Sequence, residues 1–437
     1  MRNVFISIFK SDLLAFIISL FLIQFFPLQN LSINVLFVSV FFLFCIEVVC
    51  ILIYFSFRYA TNFEKSDLLV DIEKKEVVLK ENHILDEETS NRIENLIKEK
   101  SGKDSLVSLR NSIDLLYSNT IVFHTTSIFN VLSLAENRFS TIVNLKKVND
   151  IRGINEFFIS IHDKLPYLGI FVGCFRSKSA YKKDFLLRYP FGLNYILYSF
   201  NYILKRIFPK WGFTRELYFW LTDGRKRILS KAEVFGRLYC CGFEIQDEFK
   251  ADGMVYFIAV KKKEPIRKEV INYGPIIKLK RVGKNGRLFN VYKFRTMHPY
   301  SEYLQPYIYE KNKLQEGGKF NHDIRVTSLG GFMRKYWLDE IPMFINLFKG
   351  DMKLVGVRPL SKHYFSLYSN ELQGKRTLVK PGLLPPFYAD MPKTLEEIQA
   401  SEMKYITECE RKGVFFTDLK YLWLIFVNIV FKRARSK

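Results

Sequence analysis

Cysteine pairing is what this sequence most plainly lacks. Six cysteines occur in 437 residues, and none forms a C-x-x-C pair: Cys45 and Cys50 lie in an apolar run, Cys240 and Cys241 are adjacent, and Cys174 and Cys409 stand alone. The chain therefore carries no zinc or dithiol motif and no disulfide framework, which fits a reducing, cytosol-facing location. Histidine is as sparse. His298, His322 and His363 show no metal-ligand spacing and read as surface or hydrogen-bonding residues. Glycine is absent from 60–101, so no Gly-rich turn follows an early strand to approach a dinucleotide-like cofactor. No internal repeat or low-complexity tract occurs. Acidic residues are outnumbered, 44 against 66 Lys and Arg, for a formal charge of +22. Such a chain attracts polyanions, whether nucleic acid, anionic lipid or phosphorylated substrate.

What is abundant narrows that choice. Forty-two Phe and 24 Tyr accompany long apolar runs at the N-terminus, favouring a membrane surface and excluding nucleic acid as the partner. Leu13 to Phe26 is apolar apart from Ser19 and Gln24, Pro27–Asn30 breaks the run, and Ile33 to Phe57 follows. Residues 1–63 thus read as a transmembrane helical hairpin, its second arm long enough for a hydrocarbon core of about 30 Å. Arg2 and Lys10 precede the pair, Arg58 and Lys65 follow it, and Leu28 to Ser32 has no basic residue, which predicts both ends on the cytoplasmic side. Glu47, at membrane depth, is expected to make a helix–helix contact.

From 64 to 263 the chain reads as a soluble α/β domain. Asp86 to Lys100 predicts a charged surface helix, Thr141–Leu145 a strand, Ile154 to Leu165 a helix, and Leu168–Cys174 a strand. Leu229 to Leu238 predicts a helix, then Gly242–Ile245 and Met254–Val260 a closing strand pair; Val70 to Leu79 predicts further strand. Strands alternating with helices imply a Rossmann-like layer. The run Lys261–Lys268 marks a change of composition and reads as a linker into residues 264–437.

Within 264–437 a single stretch concentrates chemistry: Arg334-Lys-Tyr-Trp-Leu-Asp339-Glu340-Ile-Pro-Met-Phe-Ile-Asn-Leu-Phe-Lys-Gly350. Ile341, Phe344, Ile345 and Phe348 recur at one helical face, Pro342 suits a first turn, and Lys349-Gly350 is a stop signal. Asp339 is then expected at or near the N-cap, ionised and able to meet a phosphorylated ligand. Asp and Glu are also ordinary first-turn residues, so the pair needs its surroundings to mean more. Upstream lie Arg281-Val-Gly283-Lys-Asn-Gly286 and Lys293-Phe-Arg295-Thr-Met297. Downstream come Asp323-x-Arg325-x-Thr327, Arg334, Val357-Arg358-Pro359 and Lys380-Pro-Gly-Leu383. The turn Gly283–Gly286 by itself is an ordinary hairpin, but its flanks are guanidinium and ammonium groups suited to phosphate oxygens.

In this order the blocks resemble the bacterial sugar transferase family, the polyprenyl-phosphate glycosyl-1-phosphate transferases that start surface glycan assembly. The resemblance runs from about Gly274 to the C-terminal helix. It implies a mixed α+β monotopic core and the transfer of a sugar 1-phosphate from a nucleotide sugar, UDP-linked, to polyprenyl (undecaprenyl) phosphate. Asp339 would be the nucleophile that carries the phospho-sugar, Glu340 the ligand of Mg²⁺, and Arg281, Lys293, Arg295, Arg325, Arg334 and Arg358 phosphate or nucleotide contacts. Arg325 and Arg334 could instead pair with Asp323. The resemblance also implies the bacterial inner membrane, a cytoplasm-facing site, and other glycan-assembly enzymes as partners. An inactive scaffold recruiting such a complex is the alternative. The chain departs from the family in several places: Val357 replaces the first proline of a Pro-Arg-Pro block, and the first motif is one residue short between Pro275 and Arg281 and lacks its usual Gln. The stretch before Gly274 is charged where the family has a proline-broken hydrophobic helix, and Leu384-Pro-Pro-Phe387 replaces a Thr-Gly turn. The final segment Val414–Phe431 reads equally as an interfacial membrane helix or a buried core helix. The end of the middle region is loosely similar to the C-terminal half of class I methyltransferases, here degenerate and non-catalytic.

Overall fold

A computed structural model describes residues 10–18, 33–62, 69–72, 83–212, 214–267, 273–311, 323–392 and 394–431. Residues 10–18 are helical, and α1 runs over Ile33–Arg58. Among the described residues the stretch Val38–Arg58 is the one helix long and apolar enough to cross a membrane. The expected turn of the hairpin, most of the Val70–Leu79 strand and His322 lie outside the described residues. Immediately after α1 comes β1 (Thr61–Asn62), whose pairing partner is more than 200 residues away.

The middle region is a five-stranded sheet between two layers of helix. In chain order it contains α2 (Glu87–Ser101), α3 (Lys103–Ser112), β2 (Thr120–Phe123), β3 (Thr141–Asn144), α4 (Ile154–Lys164) and β4 (Ile170–Phe175). After these come α5 (Leu193–Tyr202), α6 (Arg215–Thr222), α7 (Lys231–Cys240), β5 (Phe243–Ala251) and β6 (Met254–Lys261). Strand order is β2-β3-β4-β6-β5; β2, β3 and β4 run parallel, and the β5–β6 hairpin joins β4 antiparallel. Alternation along each strand explains the two cores. Ile142, Phe171 and Phe257 face α4 and α7, while Val143, Val172 and Ile258 face α2 and α3. Asp86 caps α2 by accepting from the Thr89 amide, and Ser230 caps α7 in the same way through Glu233.

The composition break at Lys261–Lys268 is pinned rather than loose, since the Lys262 and Lys263 amides both donate to the Gly242 carbonyl. Beyond it the chain returns to the middle layer: Tyr300, Tyr303, Leu304 and Ile308 are buried in the same core as α4 and α7. Gly236 permits that approach, because a Cβ there would lie 2.2 Å from the Tyr300 carbonyl oxygen.

The C-terminal region contains the hairpin β7 (Ile276–Val282) and β8 (Leu288–Phe294), α8 (Ser328–Lys335), a 3₁₀ turn over Leu338–Met343 and α9 (Phe344–Phe348). It continues with β9 (Lys353–Val355), β10 (Gly382–Leu384), α10 (Phe387–Asp390), α11 (Leu395–Lys412) and α12 (Val414–Val430). The hairpin turns at Gly283–Gly286 with Asn285 and Gly286 at positive φ. β1 adds to β7 in parallel, so the chain leaving α1 is stitched directly to this sheet. One face of α12 (Thr417, Tyr421, Ile425, Asn428) is buried, and Lys353 and Tyr405 both hold Asp418. Its other face, with Phe415, Phe416 and Trp423, is exposed.

Candidate functional site

The acidic pair sits on the 3₁₀ turn, and the sheet below fixes its position. Asn346 in α9 is fully buried; its Nδ2 donates to the Asn290 carbonyl at 2.7 Å and its Oδ1 accepts from the Tyr292 amide at 3.1 Å. These two bonds occupy backbone groups of β8 and lock the turn preceding α9 over the strand that carries Lys293. Lys293 Nζ lies 2.5 Å from Glu340 Oε1, with both side chains about one-fifth exposed.

Asp339 lies in the first turn of a helical segment, near its cap as the sequence suggested, but is not itself the cap. Trp337, in the left-handed region at φ 55°, is the capping residue, and Asp339 is the second residue of the 3₁₀ turn. Five further helical residues follow before Lys349, so little macrodipole acts on it. Burial pushes its carboxyl above the ordinary aspartate range; Lys293 opposes this, Glu340 adds to it, and Arg334 opposes it. The carboxylate is therefore favoured mainly by Lys293 and Arg334, with a smaller backbone hydrogen-bond contribution at the turn, against a larger desolvation cost.

Glu340 opens onto a cavity of about 300 Å³, whose lining does not include Asp339. Arg281 of β7, Lys293 of β8, Glu340 and Arg358 line it, with Phe387 and Tyr388 on the far wall. Arg358 is exposed and its guanidinium lies over the Phe387 ring, 5.6 Å from the centroid. Beneath it a buried Arg376–Glu402 pair fixes the backbone, Arg376 donating to the Arg358 carbonyl. The parallel pair β9–β10 brings this wall in. It requires glycine at position 382, where a Cβ would sit 2.1 Å from the Gly356 amide nitrogen.

Three expected phosphate contacts lie elsewhere. Arg295 donates from Nε to the Gly274 carbonyl at 2.9 Å and from Nη2 to Thr61 Oγ1 at 3.0 Å, so it ties β1 to the core. Arg325 is buried and forks onto Asp323 at 2.7 to 3.1 Å, the structural pairing left open by the sequence. Arg334 donates to Thr296 Oγ1 at 2.9 Å. It reaches Asp339 through its charge without lining the cavity. His298 is buried against Arg206, Nδ1 to Nη2 at 3.1 Å; burial and that guanidinium push its pKa down to about 3.

Tyr388 escaped sequence reasoning. Its Oη accepts from Trp337 Nε1 at 2.9 Å, and burial together with the charges of Glu340 and Asp339 raises its pKa. No motif marks it, although the Leu384-Pro-Pro-Phe387 departure delivers it. Outside the cavity, Leu329, Phe332, Ile341, Phe344 and Phe348 present an exposed apolar rim next to the pair; the helical face read from the sequence is there, but it points outward.

Among the described residues no cluster of three or more His, Cys, Asp or Glu could hold a metal. The pair nonetheless suits a hard cation that takes one or two carboxylates and completes its shell with waters and substrate phosphates.

Comparison with known proteins gives the same region. The model of the family described as bacterial sugar transferase matches residues 266–432. A galactosyl transferase of Streptococcus agalactiae is 35% identical over 156 residues, covering 35% of this chain and 34% of that protein. The UDP-glucose:undecaprenyl-phosphate glucose-1-phosphate transferase of Escherichia coli is 31% identical over 185 residues, 40% of this chain and 36% of that one. The UDP-N-acetylgalactosamine-undecaprenyl-phosphate N-acetylgalactosaminephosphotransferase of Aeromonas hydrophila is 38% identical over 115 residues, 25% and 24% respectively. The chain thus spans about a third or less of the length of these relatives.

Proposed function

We propose that this chain, whose residues 266–432 match the bacterial sugar transferase family, moves a sugar 1-phosphate from a UDP-sugar to undecaprenyl phosphate at the cytoplasmic face of a membrane. One observation carries the reading: Glu340 lines a cavity together with Arg281, Lys293 and Arg358, the adjacent Asp339 is charge-coupled to Lys293 and Glu340, and apolar side chains form an exposed rim beside the pair. Cations suit a diphosphate, and the apolar rim suits a lipid acceptor arriving from the bilayer.

Both substrates are anionic and repel each other, so a covalent relay that admits them in turn is favoured. Asp339 Oδ attacks the sugar-bearing phosphorus, the bond to the nucleoside monophosphate breaks, and UMP leaves with the electron pair. The lipid phosphate oxygen then attacks the same phosphorus and returns Asp339 to its carboxylate. A raised pKa makes the ionised oxygen a stronger nucleophile, while Lys293 keeps it ionised. Arg281 and Arg358 hold the diphosphate. Glu340 would hold Mg²⁺, which would neutralise phosphate charge when bound. Arg295 and Arg325 serve here as scaffold.

The test is UMP release from a panel of UDP-sugars and undecaprenyl phosphate by protein in lipid nanodiscs, with intact-mass detection of a phospho-sugar adduct. Wild type should turn over one donor and trap the adduct when acceptor is withheld, and Asp339→Ala should do neither. Wild type inert across the panel would instead support a scaffold that recruits glycan-assembly enzymes.

A further inference from the structure

The helices between β4 and α7 are built inside out. Along 187–221 the buried side chains include Asn194, Tyr198 and Arg206, whereas Phe191 is 92% exposed, Trp220 79% and Phe200 65%, with Ile196, Trp211 and Leu221 also facing outward. Aromatic side chains offer roughly 150–250 Å² each, so this one run presents on the order of 700 Å² of apolar surface, more than the ~300–600 Å² of an ordinary largest patch.

The polar side cannot turn outward to hide it. Glu233 of α7, fully buried, receives Arg206 Nη1 at 2.6 Å and Lys210 Nζ at 2.5 Å, and Arg206 also donates to the Ile228 carbonyl at 2.7 Å. Asn194 donates to the Leu186 carbonyl, and Lys205 to Tyr181 Oη at 3.0 Å. The Arg206 and Lys210 bonds fasten the turn after α5 to α7, and the Asn194 and Lys205 bonds join α5 and that turn to the neighbouring helix Lys178–Leu186, all through the polar face.

Two observations identify what covers the other face. Residues 178–227 carry eleven Lys and Arg against three Asp and Glu; even without Arg206 and Lys210, which are held inward by Glu233, the excess of cations attracts anionic headgroups. The inward side of the run is also linked by a chain of contacts to the exit of α1. Lys210 Nζ stands 5.5 Å from the centroid of the Tyr273 ring; the next residue, Gly274, accepts from Arg295, and Arg295 reaches Thr61, three residues beyond the end of α1.

We infer that residues 187–221 lie in the headgroup–acyl boundary of the bilayer that α1 enters, with their aromatic rings among acyl chains and their flanking cations on lipid phosphates. This rests on the reading that α1 spans that bilayer. The second anchor fixes the tilt of the middle layer, and with it the height of the cavity above the membrane.

The test uses full-length protein in nanodiscs of phosphatidylcholine and phosphatidylglycerol, labelled with an environment-sensitive fluorophore and quenched by nitroxide lipids. In Cys45→Ser the exposed Cys50 of α1 takes the label. In Cys45→Ser/Cys50→Ser the added site is Phe191→Cys, Trp220→Cys, or Ser112→Cys on α3 across the sheet; the remaining cysteines are buried. Labels at 191 and 220 should lose more than half their emission, as at 50, while 112 is unaffected. Quenching at 50 without quenching at 191 or 220, whether those labels are in water or shielded by a second copy or another protein, overturns the inference and leaves the spanning reading intact. Loss of quenching at 50 as well overturns both.

Discussion

Replacing Lys293 by Met keeps the side-chain length and removes the charge that holds the acidic pair. At 2.5 Å from Glu340, the gross attraction at an effective dielectric of about 20 is roughly 6 kcal/mol. Most of that is offset by taking both groups out of water, and the exposed fifth of each is screened, which leaves a net contribution of about 1–2 kcal/mol. The consequence is sharper in pH than in rate. Burial already raises Asp339, and Lys293 is the leading opposing influence, so its loss lets the Asp339 carboxyl climb further. A nucleophile must be ionised, hence the acid limb of kcat/KM for UMP release moves to higher pH, while the alkaline plateau falls by about tenfold, the loss that 1–2 kcal/mol implies. Rates measured between about pH 5 and pH 9 for wild type, Lys293→Met and Lys293→Arg decide the matter. Arg should keep the limb near its original position. A limb that stays put in Lys293→Met, or moves to lower pH, refutes the assignment of Asp339 as the ionised group on which the rate depends.

Other perturbations separate site from scaffold. Asp339→Asn should lower kcat by about 10³-fold or more, yet melt higher than wild type at neutral pH. The folded carboxyl stands above its unfolded value, so ionisation opposes folding fully once the pH exceeds both values, and the difference should vanish in acid below the unfolded value. Arg358→Ala should raise KM for the nucleotide sugar about 10–100-fold with little change in melting temperature, because within the protein an exposed guanidinium gives up only its place over the Phe387 ring. Arg295→Ala should do the reverse, lowering the melting temperature by several degrees as the bonds to Gly274 and Thr61 are lost, with KM unmoved. Gly382→Ala should cost about 1–3 kcal/mol in a denaturant titration, since its methyl group meets the Gly356 amide.

Much was legible in the chain order because it depends on neighbours in sequence. The strand at 141, the helix from 154, the strand near 170 and the final strand pair follow from local periodicity and capping. The Gly283–Gly286 hairpin follows from Asn and Gly tolerating positive φ. The ordered motifs brought Arg281, Lys293, Glu340 and Arg358 onto one list, and they share one cavity. What sequence left undecided was which cation faces a ligand and which is consumed by the fold. Arg295 and Arg358 look alike in a motif, but one meets Thr61 across 234 positions and the other is left exposed. The same limit hid Tyr388, 51 residues from its Trp337 partner, left the outward apolar face at 187–221 unread, and reversed the meaning of the apolar spacing at Ile341–Phe348. Spacing tells that a helix has an apolar face; only packing against a distant element, here Glu233 and Asn346, decides whether that face turns toward the core or toward what lies outside.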